Sequence, residues 1–189
     1  MRLILLRHGE TEWNLEGRVQ GHLDSPLTQK GLAGAYAAAQ ALAGKEISEI
    51  YASDLGRAWD TAEIVSTHLN LHVQADTRLR ETNLGAWQGK TYKELPESER
   101  IAESTDPSWA PEGGESRLQV VERMTDFAQE MSGKQGNILA VTHGNSSRIL
   151  VTSCLGIEES LLNVMTNTSW ATLDLSLIHI SEPTRLLSI

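Results

Sequence analysis

A chain of 189 residues with 40% hydrophobic content and a formal charge of −9 has the size and composition of one globular domain with a sizeable core. The acidic balance argues against general nucleic-acid affinity, and no apolar run approaches the length of a membrane span. The single cysteine, Cys154, excludes an internal disulfide framework and a thiolate metal cluster, and the absence of a secretory pattern at the N-terminus makes a cytoplasmic setting the expectation.

In chain order, Leu3 to Leu6 is a continuous apolar run of the kind a buried parallel strand shows. It ends abruptly in Arg7, His8 and Gly9, where a missing side chain would let backbone approach a bound anion. Asn14 to Leu27 reads as a long polar loop carrying Arg18, Gln20 and His22. Thr28 is a plausible N-cap for an alanine-rich helix over Ala33 to Ala43, stopped by Gly44. Ile47 to Ala52 follows as a strand, and Ser53-Asp54 opens a helix over Leu55 to Leu69 with Arg57 in its first turn. A cation there runs against the helix dipole. On spacing alone it is an exposed Arg paired with Asp54 or Asp60, and the functional alternative is that it shares an anion with the free N–H groups of that turn.

His72 to Ala75 reads as a further strand, and Glu81 then lies in a glycine-rich loop where a carboxylate is ordinarily just solvated. Thr91 to Pro111 reads as one short helix and a covering loop. Ser116 precedes a helix to about Met131 with an apolar stripe of Leu118, Val121, Met124 and Ala128. Asn137 to Thr142 is the last strong strand and ends as the first did, in a histidine and a glycine, His143-Gly144, before a helix through about Leu155. This alternation predicts an α/β protein, a three-layer α/β/α sandwich around a mostly parallel sheet.

Two apolar strands ending in His-Gly raise the functional reading above the bland one. Parallel and adjacent, they would set His8 and His143 side by side at the carboxyl edge of the sheet, where ligands bind, with Arg7 and Arg57 close by. Such a cluster without an anion is costly through like-charge repulsion and desolvation, and a doubly charged phosphoryl group relieves both.

The segments LLRHGETEWN, GRVQGHLDSPLT, SDLGRAWDTAE, LRETNLGAWQG, GGES and VTHGNSSR, in this order, resemble the histidine phosphatase superfamily, which shares the phosphoglycerate mutase-like fold. DTRLRET, WAPEGGESR and NTSWATL are similar, within it, to actinobacterial glucosyl-3-phosphoglycerate phosphatases. The resemblance implies a phosphomonoesterase acting on a small phosphorylated metabolite and releasing inorganic phosphate. His8 corresponds to the nucleophile, Arg7, Arg57 and His143 to the groups holding the phosphoryl oxygens, and Glu81 to the general acid and base. Asn14 and Gln20 match secondary phosphate or substrate contacts, Thr11 would offer a hydroxyl or backbone contact nearby, and Gly144 belongs to the same phosphate pocket. No cofactor and no metal is implied, and a homodimer is compatible with the family.

Three features depart from the family pattern. Asp60 replaces a common glutamine, and Asn145 follows Gly144 where many relatives have a second glycine, which would narrow the edge of the pocket. The last segment does not resemble the family's closing sequence, so one phosphatase domain is expected over 1–176 with a foreign tail over 177–189, and His179 and Arg185 are left out of the site. Trp13, Trp87 and Trp109 fit either a sugar-binding rim or packing, while His22, His68 and His72 read as surface or packing residues. The competing functions are a phosphoglycerate mutase and, in another class, a non-catalytic phospholigand-binding module.

Overall fold

The structure, a computed structural model, describes residues 1–176, so the expectation for the tail over 177–189 lies outside the described residues. Five strands form one sheet: β1 (Arg2–Arg7), β2 (Ile47–Ala52), β3 (Val73–Ala75), β4 (Asn137–Thr142) and β5 (Trp170–Asp174), in the order β3-β2-β4-β1-β5. β1 pairs with β4, and β2 with β4 and β3, all in parallel, while β5 closes the other edge antiparallel to β1. The expected three-layer α/β architecture is therefore present.

The continuous apolar runs have the reason parallel strands always have, which is that both faces are covered. From β1, Leu3 and Leu5 enter one core with Val120, Met124, Phe127 and Ile149, whereas Ile4 and Leu6 enter the other with Ala38, Leu42, Ala58 and Val65. The first core is closed by α5 (Arg117–Ser132) and α6 (Gly144–Leu155), the second by α2 (Gln29–Leu42) and α3 (Gly56–Leu69). Truncating a fully buried leucine such as Leu5 to Ala costs about 2–5 kcal/mol by the usual cavity argument.

Local differences from the sequence reading have simple causes. A short helix α1 (Glu12–Glu16) occupies the start of the expected loop because Thr11 and Asn14 form a reciprocal capping box. The one short helix expected in the covering segment, by contrast, is present as α4 (Glu97–Thr105). On α5 the buried face is Val120, Met124, Phe127, Ala128 and Met131, so the expected Leu118 and Val121 sit only at its margin. Gly9 is not opened toward an anion: a Cβ there would lie 2.7 Å from the Gly31 carbonyl oxygen, so the small residue lets the first turn of α2 abut the chain after β1.

Candidate active site

The register Arg7 to Thr142 places the residues after β1 and β4 next to each other, and the His8 amide donates to the Thr142 carbonyl at 3.0 Å. The rings of His8 and His143 are 5.2 Å apart between centroids. Both are buried, and Arg7 and Arg57 are close enough to bias their titration. The structure thus gathers the cluster expected from the two strand ends.

At His8, Nδ1 lies 2.7 Å from the Gly9 carbonyl oxygen, which can only accept, so Nδ1 carries the proton and Nε2 keeps its lone pair. Burial, and then the charges of Arg57 and Arg7, hold this imidazole well below the usual histidine range. A neutral imidazole with a free lone pair is chemically able to act as a nucleophile.

The two guanidiniums are fixed by protein oxygens before any ligand arrives. Arg7 Nη1 donates to the Met165 carbonyl, and its Nε is buried without a partner. Arg57 is not the exposed residue its spacing suggested: it is 2% exposed, with Nη1 on the Leu23 carbonyl and Asp24 Oδ1 at 2.8 and 2.7 Å, and Nη2 on the Gly21 carbonyl at 2.8 Å. Asp54 instead binds Arg80. Asp24 also accepts the amides of Gly56 and Arg57 at 2.6 and 3.3 Å, so these first-turn N–H groups are taken up by a carboxylate and are not left free for an anion. The Arg57 Nε remains unpaired and buried.

Glu81 sits against the N-terminus of α6. Its Oε1 accepts from the Thr82 amide, the Ser146 amide and the Ser146 hydroxyl at 2.9, 3.1 and 2.9 Å, whereas Oε2 accepts only from the Asn145 amide, at 3.2 Å. Oε1 is the anchored oxygen and Oε2 the freer one. The peptide behind it is also held, because its carbonyl accepts from Arg123 Nη2 at 3.1 Å and His22 Nε2 at 2.9 Å. Arg123 in turn pairs with Glu115 and binds the carbonyls of Arg78 and Arg80. His22 is therefore part of the support of this loop, a role its sequence context did not suggest.

A cleft of about 260 Å³ opens over this cluster, lined by Arg7, His8, Asn14, Gln20, Arg57 and Glu81 and also by Arg18, Leu84, Trp87, Tyr92, Glu103 and Asn145. A larger hollow of about 690 Å³ behind α6 contains none of the cluster. Trp87, 4% exposed, gives its indole N–H to Glu99 on α4 at 2.6 Å and packs on Trp109, which lies off the cleft. One expected contact is elsewhere. Thr11 is fully buried as the cap of α1, accepting from the Asn14 amide and Gln20 Nε2. Gly144 stays beside the cluster: it is buried, and a Cβ there would come within 2.6 Å of Val164 Cγ1 and 3.1 Å of the Arg7 guanidinium carbon, so its lack of a side chain lets both pack against the start of α6.

Asp24, Ser53, Arg123 and Ser146 were not singled out in the sequence. A polar residue gives no local signal of a partner about 30 or more positions away; Asp24, Ser53 and Ser146 lie inside recognised motifs and were open to notice, whereas Arg123 was not. Among the described residues no group of three or more His, Cys, Asp or Glu side chains is arranged to hold a metal ion, and no helix is long and apolar enough to cross a membrane.

Comparison with known proteins agrees with this geometry. A model of the histidine phosphatase superfamily (branch 1) matches residues 3–180. The glucosyl-3-phosphoglycerate phosphatase of Mycolicibacterium vanbaalenii is 39% identical over 187 residues, covering 91% of this chain and 83% of that protein. A probable phosphoglycerate mutase of Escherichia fergusonii is 38% identical over 164 residues, covering 83% and 76%. Among solved structures, a mycobacterial glucosyl-3-phosphoglycerate phosphatase complexed with VO3 superposes with a TM-score of 0.85 at 37% identity, covering 92% of each chain.

Proposed function

The chain belongs to the histidine phosphatase superfamily and is a phosphatase, and we propose that it hydrolyses a small phosphate monoester through a phosphohistidine on His8, without a metal. The observation that carries this assignment is the His8 ring, which lines the cleft: Nδ1–H is held by the Gly9 carbonyl, and Nε2 is free. In the first step the Nε2 lone pair forms an N–P bond as the P–O bond of the ester breaks. Arg7, Arg57 and His143 stabilise the charge on the equatorial oxygens. These fixed cations supply charge stabilisation of the kind a metal ion could supply, which supports the metal-independent reading.

Glu81 gives a proton from Oε2, its freer oxygen, to the departing alkoxide. In the second step the Glu81 carboxylate takes a proton from the attacking water as oxygen bonds to phosphorus, the N–P bond breaks, and His8 returns with inorganic phosphate as product. Asn14 and Gln20 line the same cleft as secondary phosphate contacts.

For substrate we propose glucosyl-3-phosphoglycerate. The named relatives support it, as do residues lining the cleft that suit such a ligand: Arg18 for a carboxylate, Glu103 for hydroxyls and the exposed ring of Tyr92 for a sugar. Release of phosphate from an aryl phosphate in excess chelator tests the reaction. A panel containing glucosyl-3-phosphoglycerate, its mannosyl analogue and the two phosphoglycerates tests the substrate. Interconversion of 2- and 3-phosphoglycerate with little phosphate release would make the chain a mutase, and binding of these compounds without turnover would make it a ligand-binding module. A cytoplasmic location and a homodimer belong to the same proposal, the first checked by fractionation and the second by sedimentation.

A further inference from the structure

His143 is completely buried and follows β4 as His8 follows β1, but its ring is held from the other side. Its Nε2 lies 2.8 Å from the hydroxyl of Ser53, the residue that leaves β2. The Ser53 amide donates to the Val141 carbonyl at 2.9 Å, which fixes the end of β2 beside the end of β4 and so fixes the hydroxyl against the ring. Ser53 is itself fully buried, and its oxygen also accepts the Leu55 amide at 3.3 Å. His143 Nδ1 is buried and has no partner.

We propose that Ser53 is a positioning residue that sets the tautomer of His143, so that the neutral ring carries its proton on Nδ1 and donates it to a phosphoryl oxygen. The inventory of donors and acceptors leads to this. A hydroxyl has one proton to give; the Leu55 amide is a donor and cannot receive it, and His143 Nε2 is the remaining partner that can. Ser53 therefore donates, Nε2 accepts, and the ring proton of the neutral imidazole is on Nδ1. The reverse arrangement would leave the proton of the fully buried Ser53 hydroxyl without an acceptor. It would also leave a lone pair on Nδ1 facing the same anion that Arg7 and Arg57 attract.

The neutral state itself follows from burial and from the surrounding charges of Arg57, Arg7 and Arg123, with His8 adjacent. The unpaired Nε–H groups of Arg7 and Arg57 and the Nδ1–H of His143 are then three buried donors left without protein partners in one cluster. A phosphoryl group has three equatorial oxygens to receive them.

This inference rests on the reading of His143 as a phosphate ligand, and its test does not depend on turnover. In protein labelled with ¹⁵N at histidine, assigned with a His143→Gln variant, His143 should show a protonated Nδ1 and an unprotonated Nε2 at neutral pH. Ser53→Ala should shift the proton toward Nε2 and weaken orthovanadate binding and kcat/KM for an aryl phosphate by about tenfold each, with Ser53→Thr restoring both. A wild-type His143 protonated on Nε2, or on both nitrogens, overturns the inference. So does a folded Ser53→Ala variant with unchanged tautomer and unchanged vanadate affinity. Should that variant not fold, the wild-type spectrum decides. The predicted tautomer in a protein that turns over no phosphate ester would leave this inference standing and remove the proposed function.

Discussion

The ends of β1 and β4 carry the same order of strand, histidine and glycine, and the sheet puts them side by side, yet the two rings are presented in opposite senses. At His8 the Nδ1 edge faces its own chain, at the Gly9 carbonyl, and Nε2 is free. At His143 the Nε2 edge faces Ser53, and Nδ1 is free. With the same tautomer on both, one ring shows the phosphate a lone pair and the other an N–H. Burial and neighbouring cations lower the pKa of both rings, so in the proposed mechanism the pair would divide into attacker and stabiliser without a difference in charge. A repeated motif in a sequence therefore does not mean a repeated role; the hydrogen bond on the far side of each ring decides it.

The comparison breaks most visibly at His8. His8→Ala should lower kcat for any ester by at least roughly 10⁴-fold, because the covalent step has no substitute; rapid turnover by the folded variant would refute the nucleophile assignment. Glu81→Gln should slow alkyl phosphates by about 10²- to 10⁴-fold and activated aryl phosphates much less, since only poor leaving groups need the proton. Equal slowing of both would take Glu81 out of the acid role. His143→Ala should cost about 10²- to 10³-fold, the usual effect of removing one preorganised donor, while still forming the phosphoenzyme.

Smaller effects sharpen the same contrast. Protons bound below the ordinary histidine value of 6.5 go to the unfolded chain, because both buried rings titrate lower when folded. Stability should thus fall as pH drops through 6.5 and be insensitive to these groups above it, and in urea titrations His8→Asn should lessen that fall. Thr11→Ala should cost about 1 kcal/mol through the lost cap of α1. Its KM should change little, since Thr11 is buried in the cap and does not line the cleft. A large KM change with unchanged stability would return Thr11 to the phosphate site.

What could be read from the sequence follows the same division between chain-local and long-range effects. The bounds of β2 and β4 were both legible, and β4 reads as a nearly uninterrupted apolar run because it is covered on both faces. The strand ends then pointed to His8, His143 and the arginines, and the family resemblance gave them and Glu81 roles. The partner of Arg57 was not legible. Asp54 and Asp60 are its neighbours along the chain, but the loop that brings in Asp24 from 33 residues away is folded by contacts no spacing rule contains. Gly9 was recognised as special for another reason than the one the structure shows, which is that it accommodates the backbone of the first turn of α2. The apolar stripe of α5 was misplaced because Leu118 and Val121 keep nearly the right period while Val120 and Phe127 supply the deepest contacts. Ser53 and Ser146 gave no signal beyond their place inside recognised motifs.

The asymmetry of the two histidines is tested most directly by trapping the phosphoenzyme. Protein quenched during turnover of a ³²P-labelled ester should carry acid-labile, base-stable label on the peptide containing His8, in the wild type and in His143→Ala alike, and none in His8→Ala. Label on His143, or turnover by His8→Ala at the wild-type rate without label, would contradict the account.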